Sequence, residues 1–322
     1  MSSGPLTVGV DLGGTKVAAA LVDARGGIVT SHVSPTHADR GPAGVIADIV
    51  ACVKEGLGEA ARDARALGIG VAGQVDEATG AVHFAPNLRW RQVPLGAELA
   101  KALAQRVVVT NDVRAATWGE WVHGAGRDAR DLVTLFVGTG VGGGIVSGGR
   151  MLTGCTNAAG ELGHVTIVTG GRKCTCPNSG CLEAYVGGWA IAERAREAAA
   201  RDPRSGQRLV AIATGVEHIT AKSVTQAYRE RDTLARLLVD ETVRHLAAGV
   251  VTVVNAFNPC LVILGGGVIE GLPELIAMAE PLVRAHALEA ATRGLRIVKA
   301  ALGNQAGVIG AAALARHTGA PA

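Results

Sequence analysis

Aromatic side chains are scarce in this chain: 3 Phe, 4 Trp and 2 Tyr amount to 3% of 322 residues. A surface that stacks successive bases of a single strand needs such rings, so binding of single-stranded nucleic acid is not expected. The cores must instead be built from Val, Leu, Ile and Ala. Charge is sparse as well, at 18% of residues, and it nearly cancels to +3, too small an excess to imply any partner. No stretch approaches the roughly 18 to 20 uninterrupted apolar residues of a membrane span. The opening residues, MSSGPLTVGVDLGG, carry neither the basic flank nor the apolar run of a secretory leader. The expected compartment is therefore the cytoplasm, where thiols stay reduced. Low-complexity segments are absent too.

What is present is glycine, at 45 residues, within a chain that is 48% hydrophobic. That balance describes a well-buried globular protein, and its length suits two domains better than one core. Two segments share a layout. Val8 to Asp23 reads as an apolar strand, the Gly-rich turn DLGGTK and a second apolar strand; Asp131 to Gly149 repeats it as LVTLFV, GTGVGGG and IVSGG. Around them the pattern predicts helices near Gly44 to Ala64 and Leu95 to Leu103, strands at Leu67 to Ala72 and at VVVT, and a helix opening at Asp112. Further on, Cys181 to Ala200, Leu234 to Phe257, Leu272 to Ala291 and Gly307 to Arg316 read as helices, CLVILGGGV and LRIVKA as strands. Gly124 to Asp131 reads as a surface crossing and Arg201 to Gln207 as an exposed loop.

Glycine lets a backbone approach a phosphate and turn its N–H groups inward. Gly9 to Lys16 comes close to a Walker A loop, but Thr15 precedes Lys16 where that motif needs the reverse order. Gly138, Gly140 and Gly143 satisfy G-x-G-x-x-G, yet a strand rather than a helix follows, which rejects a dinucleotide site. Any one of these turns reads equally well as a hairpin without a ligand. Three of them, each after an apolar strand, resemble the actin-like ATPase arrangement, with DLGGTK (Gly13, Gly14, Thr15, Lys16) and GTGVGG (Thr139, Gly140) on the phosphates and LGGGV (Gly265, Gly266) on the adenosine. Lys16 reads equally as a solvated hairpin charge.

CTCPNSGCLE, residues 174 to 183, concentrates three of the six cysteines. In a reducing compartment a metal site or a redox pair is favoured over a structural disulfide. Cys52, Cys155 and Cys260 lie in apolar surroundings and are expected to be buried. Asn111-Asp112, where a strand meets a helix start, reads first as an N-cap.

With these motifs in order, the chain resembles the ROK family (repressors, open reading frames and sugar kinases), and within it the bacterial glucokinases, from about Val8 to Gly310. The most specific element is Glu161-Leu-Gly-His164 followed by Cys174-x-Cys176-x4-Cys181-x-Glu183. Pro177 departs from it, standing where the family usually has Gly, and it fixes φ and removes a donor. The resemblance implies an α/β, two-domain actin-like ATPase (ribonuclease H-like) fold with a cleft between domains, and an ATP- and Mg²⁺-dependent kinase for the 6-hydroxyl of glucose. His164, Cys174, Cys176 and Cys181 would form a closed Cys3His set for a structural Zn²⁺; a CxC redox pair is the alternative. The resemblance further implies Asp112 as the base and Asn87, Asn111, Glu161, His164 and Glu183, with Asp112, as sugar-binding residues; Asp11 would face the Mg²⁺.

Hinges near Asp112–Val113 and Lys299 would make a small domain of 1–112 plus about 300–322 and a large domain of 113–299 carrying the knuckle at 164–183. Family members are commonly dimers or tetramers, so a homodimer or homotetramer is expected, with a sugar and a nucleotide as partners and neither nucleic acid nor membrane. Two alternatives stand beside glucose: a kinase of another hexose, N-acetylmannosamine or a cyclitol, with ATP or polyphosphate as donor, and a sugar-responsive repressor. The repressors place a helix-turn-helix domain ahead of the first phosphate loop, which here begins by Val8.

Overall fold

The computed structural model describes residues 5–318. The chain falls into two compact units: Met1–Asp128 with Met151–Ala159 and Ala301–Ala322, and Ala129–Arg150 with Gly160–Ala300. In the first, strands β1 (Thr7–Leu12), β2 (Lys16–Val22), β3 (Ile28–Pro35), β4 (Leu67–Val71) and β8 (Val107–Asn111) form a sheet of order β3-β2-β1-β4-β8, while β5 (Gln74–Asp76), β6 (Ala81–Ala85) and β7 (Trp90–Val93) form a smaller one. β1 runs antiparallel to β2 and parallel to β4. β1 and β4 are apolar on both faces because both are covered. Val45, Ile49 and Val53 of the helix Gly41–Lys54 pack on one face and Val308, Ile309 and Ala312 of the helix Ala306–His317 on the other.

Backbone meets backbone on that second face. A Cβ on Gly9 or Gly68 would overlap the carbonyls of Val308 or Ala311, and one on Gly310 would overlap that of Ala115 in the helix Asp112–Val122. We expect Gly310→Ala to destabilise the fold by at least about 2 kcal/mol, since the overlap is with main chain that cannot rotate away. Chemical denaturation reads this; a midpoint equal to the parent's would refute it. At the far end of the Asp112–Val122 helix, fully buried Glu120 accepts backbone N–H groups from Ala125, Ala301 and Leu302 at 2.9, 3.0 and 2.7 Å. One carboxylate thus fastens residues beside two of the points where the chain passes between units.

The second unit repeats the layout. β9 (Leu132–Val137), β10 (Val141–Ser147), β11 (Arg150–Met151), β12 (Leu261–Gly265) and β13 (Arg296–Lys299) lie in the order β11-β10-β9-β12-β13, again an antiparallel hairpin followed by parallel strands. Its helices include Gly188–Arg201, Ala221–Arg229, the 25-residue Thr233–Phe257 and Glu274–His286. Among the described residues no helix is long and apolar enough to cross a membrane.

Several local expectations need correction. Residues 203 to 207 are helical, not loop: Asp202 accepts the N–H groups of Arg204 and Ser205, and Pro203 occupies the first turn of the helix Pro203–Ala213. The helix predicted for Cys181 to Ala200 breaks at Gly187 into Glu183–Val186 and Gly188–Arg201. The first helix ends at Lys54. Cys52 is buried as expected, but Cys155 and Cys260 are exposed, the first in a turn after β11 and the second in the bend that precedes β12.

Candidate active site

In the first unit the β1–β2 turn holds Gly13, Gly14 and Thr15, closed by the Gly13 N–H donating to the Lys16 carbonyl at 3.0 Å. Lys16 and Thr15 are exposed. Gly14 abuts exposed Asn87, which lies in the 3-10 turn Pro86–Leu88: a Cβ at 14 would come to 3.0 Å from both the Cβ and the carbonyl of Asn87. The structure therefore brings Asn87 beside the glycine turn. Asp11, one residue before the end of β1, is largely buried, and burial pushes its carboxyl above the usual range while the Lys16 charge pulls it back. Gly307 packs closely beside it, where a Cβ would lie 3.0 Å from the carboxylate.

Asn111 ends β8 in extended conformation, and its Oδ1 accepts the Arg114 N–H at 3.1 Å, so the expected N-cap is present. Its Nδ2 donates to the Gly73 carbonyl at 3.2 Å. Asp112 opens the helix and is half-buried. Beside them stands a group that sequence reasoning missed. Arg114, 7% exposed, donates to Glu77 Oε1 at 2.8 Å and to the carbonyl of Asn157 at 2.9 Å, and Thr110 Oγ1 donates to the same Glu77 oxygen. An arginine two places after Asp112, in the first turn of the helix, was the one available signal; Glu77 and Asn157 gave none.

In the second unit β10 organises a further group of candidate residues. The Glu161–His164 segment forms a 3-10 turn over Leu162–His164, and Gly163 lies flat against β10, where a Cβ would overlap the Val141 carbonyl. Glu161 is exposed and His164 half-buried. Glu183, 7% exposed, accepts the Val141 N–H at 2.8 Å on Oε2. Its Oε1 accepts Thr175 Oγ1 at 2.9 Å and Trp189 Nε1 at 3.3 Å. The carboxylate so ties the turn containing Thr139 and Gly140 to the cysteine segment and to the helix Gly188–Arg201. Thr175 and Trp189 were not anticipated. Gly266, with φ +89, sits against the end of β9, where a Cβ would lie 2.5 Å from the Val137 carbonyl, which places the Gly265–Gly266 turn beside the Gly138–Gly143 turn.

The ligand atoms of His164, Cys174, Cys176 and Cys181 all lie within 4.8 Å of one another. Cys174 Sγ is 3.6 Å from His164 Nδ1, and Cys176 Sγ is 3.6 Å from Cys181 Sγ. Two thiolates bound tetrahedrally to one zinc would be about 3.8 Å apart, so the set fits such an ion. Burial, together with the neighbouring Cys176 and Cys174, pushes the Cys181 thiol up to about 12. The Cys181 thiol therefore keeps its proton unless a cation replaces it. Pro177 does not prevent the gathering, because the loop turns at Gly180, φ +82, and closes through the Cys174 N–H to the Asn178 carbonyl at 3.2 Å.

Comparison with known proteins agrees along the whole chain. A family model described as ROK family matches residues 7–318. A glucokinase from Streptomyces coelicolor is 35% identical over 317 residues, 97% of this chain and 98% of that protein. A glucokinase from Thermotoga maritima is 35% identical over 312 residues, 96% and 97% of the two chains. A solved ROK family glucokinase from Streptomyces griseus, in complex with glucose and AMPPNP, matches with a TM-score of 0.84 at 35% identity, covering 97% of this chain and 99% of that one. The two repeated sheets are those of the two-domain actin-like ATPase fold that this relative shares.

Proposed function

The chain belongs to the ROK family, and from that premise we propose that it is an ATP-dependent sugar kinase acting on the 6-hydroxyl of glucose. The observation that carries the reading is full-length similarity to glucokinases in a chain whose Asn111-Asp112 pair sits at a strand-to-helix junction. Phosphoryl transfer needs little from a protein beyond positioning and electrostatics. Asp112 orients the sugar hydroxyl and takes its proton as it attacks the γ-phosphate. Asn111 keeps one amide hydrogen and one lone pair for a sugar hydroxyl after its two internal bonds, and Asn87 adds another contact. Glu183 already accepts three hydrogen bonds; a carboxylate offers about four lone-pair sites, so one remains for a hydroxyl. Glu161 accepts from the same ring.

Gly13, Gly14, Thr15 and Lys16 from one unit, and Thr139 and Gly140 from the other, are assigned to the phosphates, with Gly265 and Gly266 at the adenosine. Bound Mg²⁺ supplies charge neutralisation on the phosphates, and Asp11 is the residue assigned to face it. In the knuckle we assign Zn²⁺ to His164 Nδ1 and the three thiolates, which leaves Nε2 of His164 free to meet a sugar hydroxyl.

The test is a phosphorylation screen of glucose, other hexoses, N-acetylmannosamine and cyclitols, with magnesium and either ATP or polyphosphate. Glucose with ATP is expected to give the highest kcat/KM and a 6-phosphate product. A preparation that leaves every hexose unmodified overturns the reading.

A further inference from the structure

We infer that Arg114 is a positioning residue for this reaction: its guanidinium fastens the start of the base helix and the segment leading into Glu161 in one fixed arrangement. The inference rests on the reading of Asp112 as the base. Arg114 is held at both ends. Its backbone N–H donates to Asn111 Oδ1 at 3.1 Å, and its guanidinium donates to Glu77 Oε1 at 2.8 Å. Because that Glu77 oxygen also takes Thr110 Oγ1, a ring of contacts through Thr110, Glu77, Arg114 and Asn111 encloses the backbone that presents Asp112. Such a closed ring removes the freedom of the helix end to rotate.

The same guanidinium reaches out of the ring. It donates to Asn157 twice, to the side-chain Oδ1 and to the main-chain carbonyl, the latter at 2.9 Å. Asn157 adopts a left-handed φ of +59, and its Nδ2 donates to the Val75 carbonyl at 2.9 Å, so it is gripped from three directions. It belongs to the segment Met151–Ala159, after which the chain enters the other unit at Gly160, itself at φ +97, and Glu161 follows at once. Arg114 thereby fixes a residue four places before the assigned sugar-binding acid. A planar fork can serve both Asn157 oxygens and Glu77 together; a lysine ammonium cannot match that geometry. A displacement of 1 Å in a reacting pair can cost about a hundredfold in rate, so the looseness that follows losing the fork should be visible in turnover.

The experiment compares Arg114→Lys, Asn157→Ala and the charge-balanced double variant Arg114→Met/Glu77→Gln with the parent. Melting curves establish that each is folded; the double variant removes the ion pair without leaving Glu77 alone in a half-buried site. For the double variant, kcat/KM for the sugar should fall about 100-fold while KM for ATP stays within about threefold of the parent. Arg114→Lys should lose about tenfold in kcat/KM, and adding Asn157→Ala to the double variant should cost little more, because that grip is already gone. A purely architectural arginine would instead lower the melting temperature and leave KM and kcat of the folded fraction unchanged. Amide exchange across residues 153–159 reads the anchoring without reference to activity, and should be at least about tenfold faster in the double variant. Unchanged exchange, or parental kcat/KM in the folded double variant, overturns the inference. A parent that phosphorylates no sugar while the exchange difference persists overturns the functional reading and, with it, Arg114's role in catalysis.

Discussion

Asp112→Asn should fold like the parent and lose about 10³-fold in kcat, the scale of a positioned proton acceptor. Asparagine keeps the size and the hydrogen-bonding reach of the side chain but cannot take the hydroxyl proton. The fold should survive because Asn111, not Asp112, caps the helix, accepting the Arg114 N–H at 3.1 Å. The substitution removes a favourable charge from the first helical turn, an effect of about 0.3–1 kcal/mol. The melting temperature and the KM for sugar should therefore move little while turnover collapses. A kcat within tenfold of the parent would take Asp112 out of the role and leave the site without a base.

Loss of the zinc proposed for the knuckle should be felt further away. Cys181→Ser, or exhaustive chelation, is expected to release one zinc per chain and lower the melting temperature by at least about 10 °C, since structural zinc contributes many kcal/mol to the fold it organises. Thr175, lying between two of the proposed ligands, donates to Glu183, and Glu183 in turn accepts the Val141 N–H of the second glycine turn. Disorder in the knuckle should reach the nucleotide side by that route, raising KM for ATP as well as for sugar. Acid should mimic the effect. Protons compete with the cation for thiols, one of which is held up to about 12 when no cation is present, so zinc retention should weaken as pH falls. Metal analysis beside calorimetry reads both effects; a metal-free preparation with parental melting and turnover would refute the assignment.

The strands were legible because they are nearly continuous apolar runs: TVGVDL, LVTLFV and LVILG are buried on both faces, and no helical spacing competes with them. The glycine turns between them follow from the same local pattern. Residues 201 to 207 misled because their charges and glycine suggested a loop, whereas Asp202-Pro203 is a helix start and the polar face simply meets solvent. The contacts of the site were less visible. Arg114 meets Glu77 across 37 positions and Asn157 across 43, and Glu183 meets Val141 across 42. No periodicity records a partner at that distance, so a carboxylate bound on both oxygens looks the same in the sequence as a free one.

The glycines that let the helix Ala306–His317 lie directly on β1 and β4 have a consequence for the order of assembly on the ribosome. On that face the helix Asp112–Val122 meets β4 and β8, but β1 and β2 stay bare until the last described helix has been made, some 300 residues after Thr7 in the sequence. The second unit, built from a nearly unbroken run ending at Ala300, has all its residues before then. The ordinary sequence of events in translation, in which the leading domain matures first, is inverted here: the first unit must wait for the helix Ala306–His317 before the second face of β1 and β2 is covered.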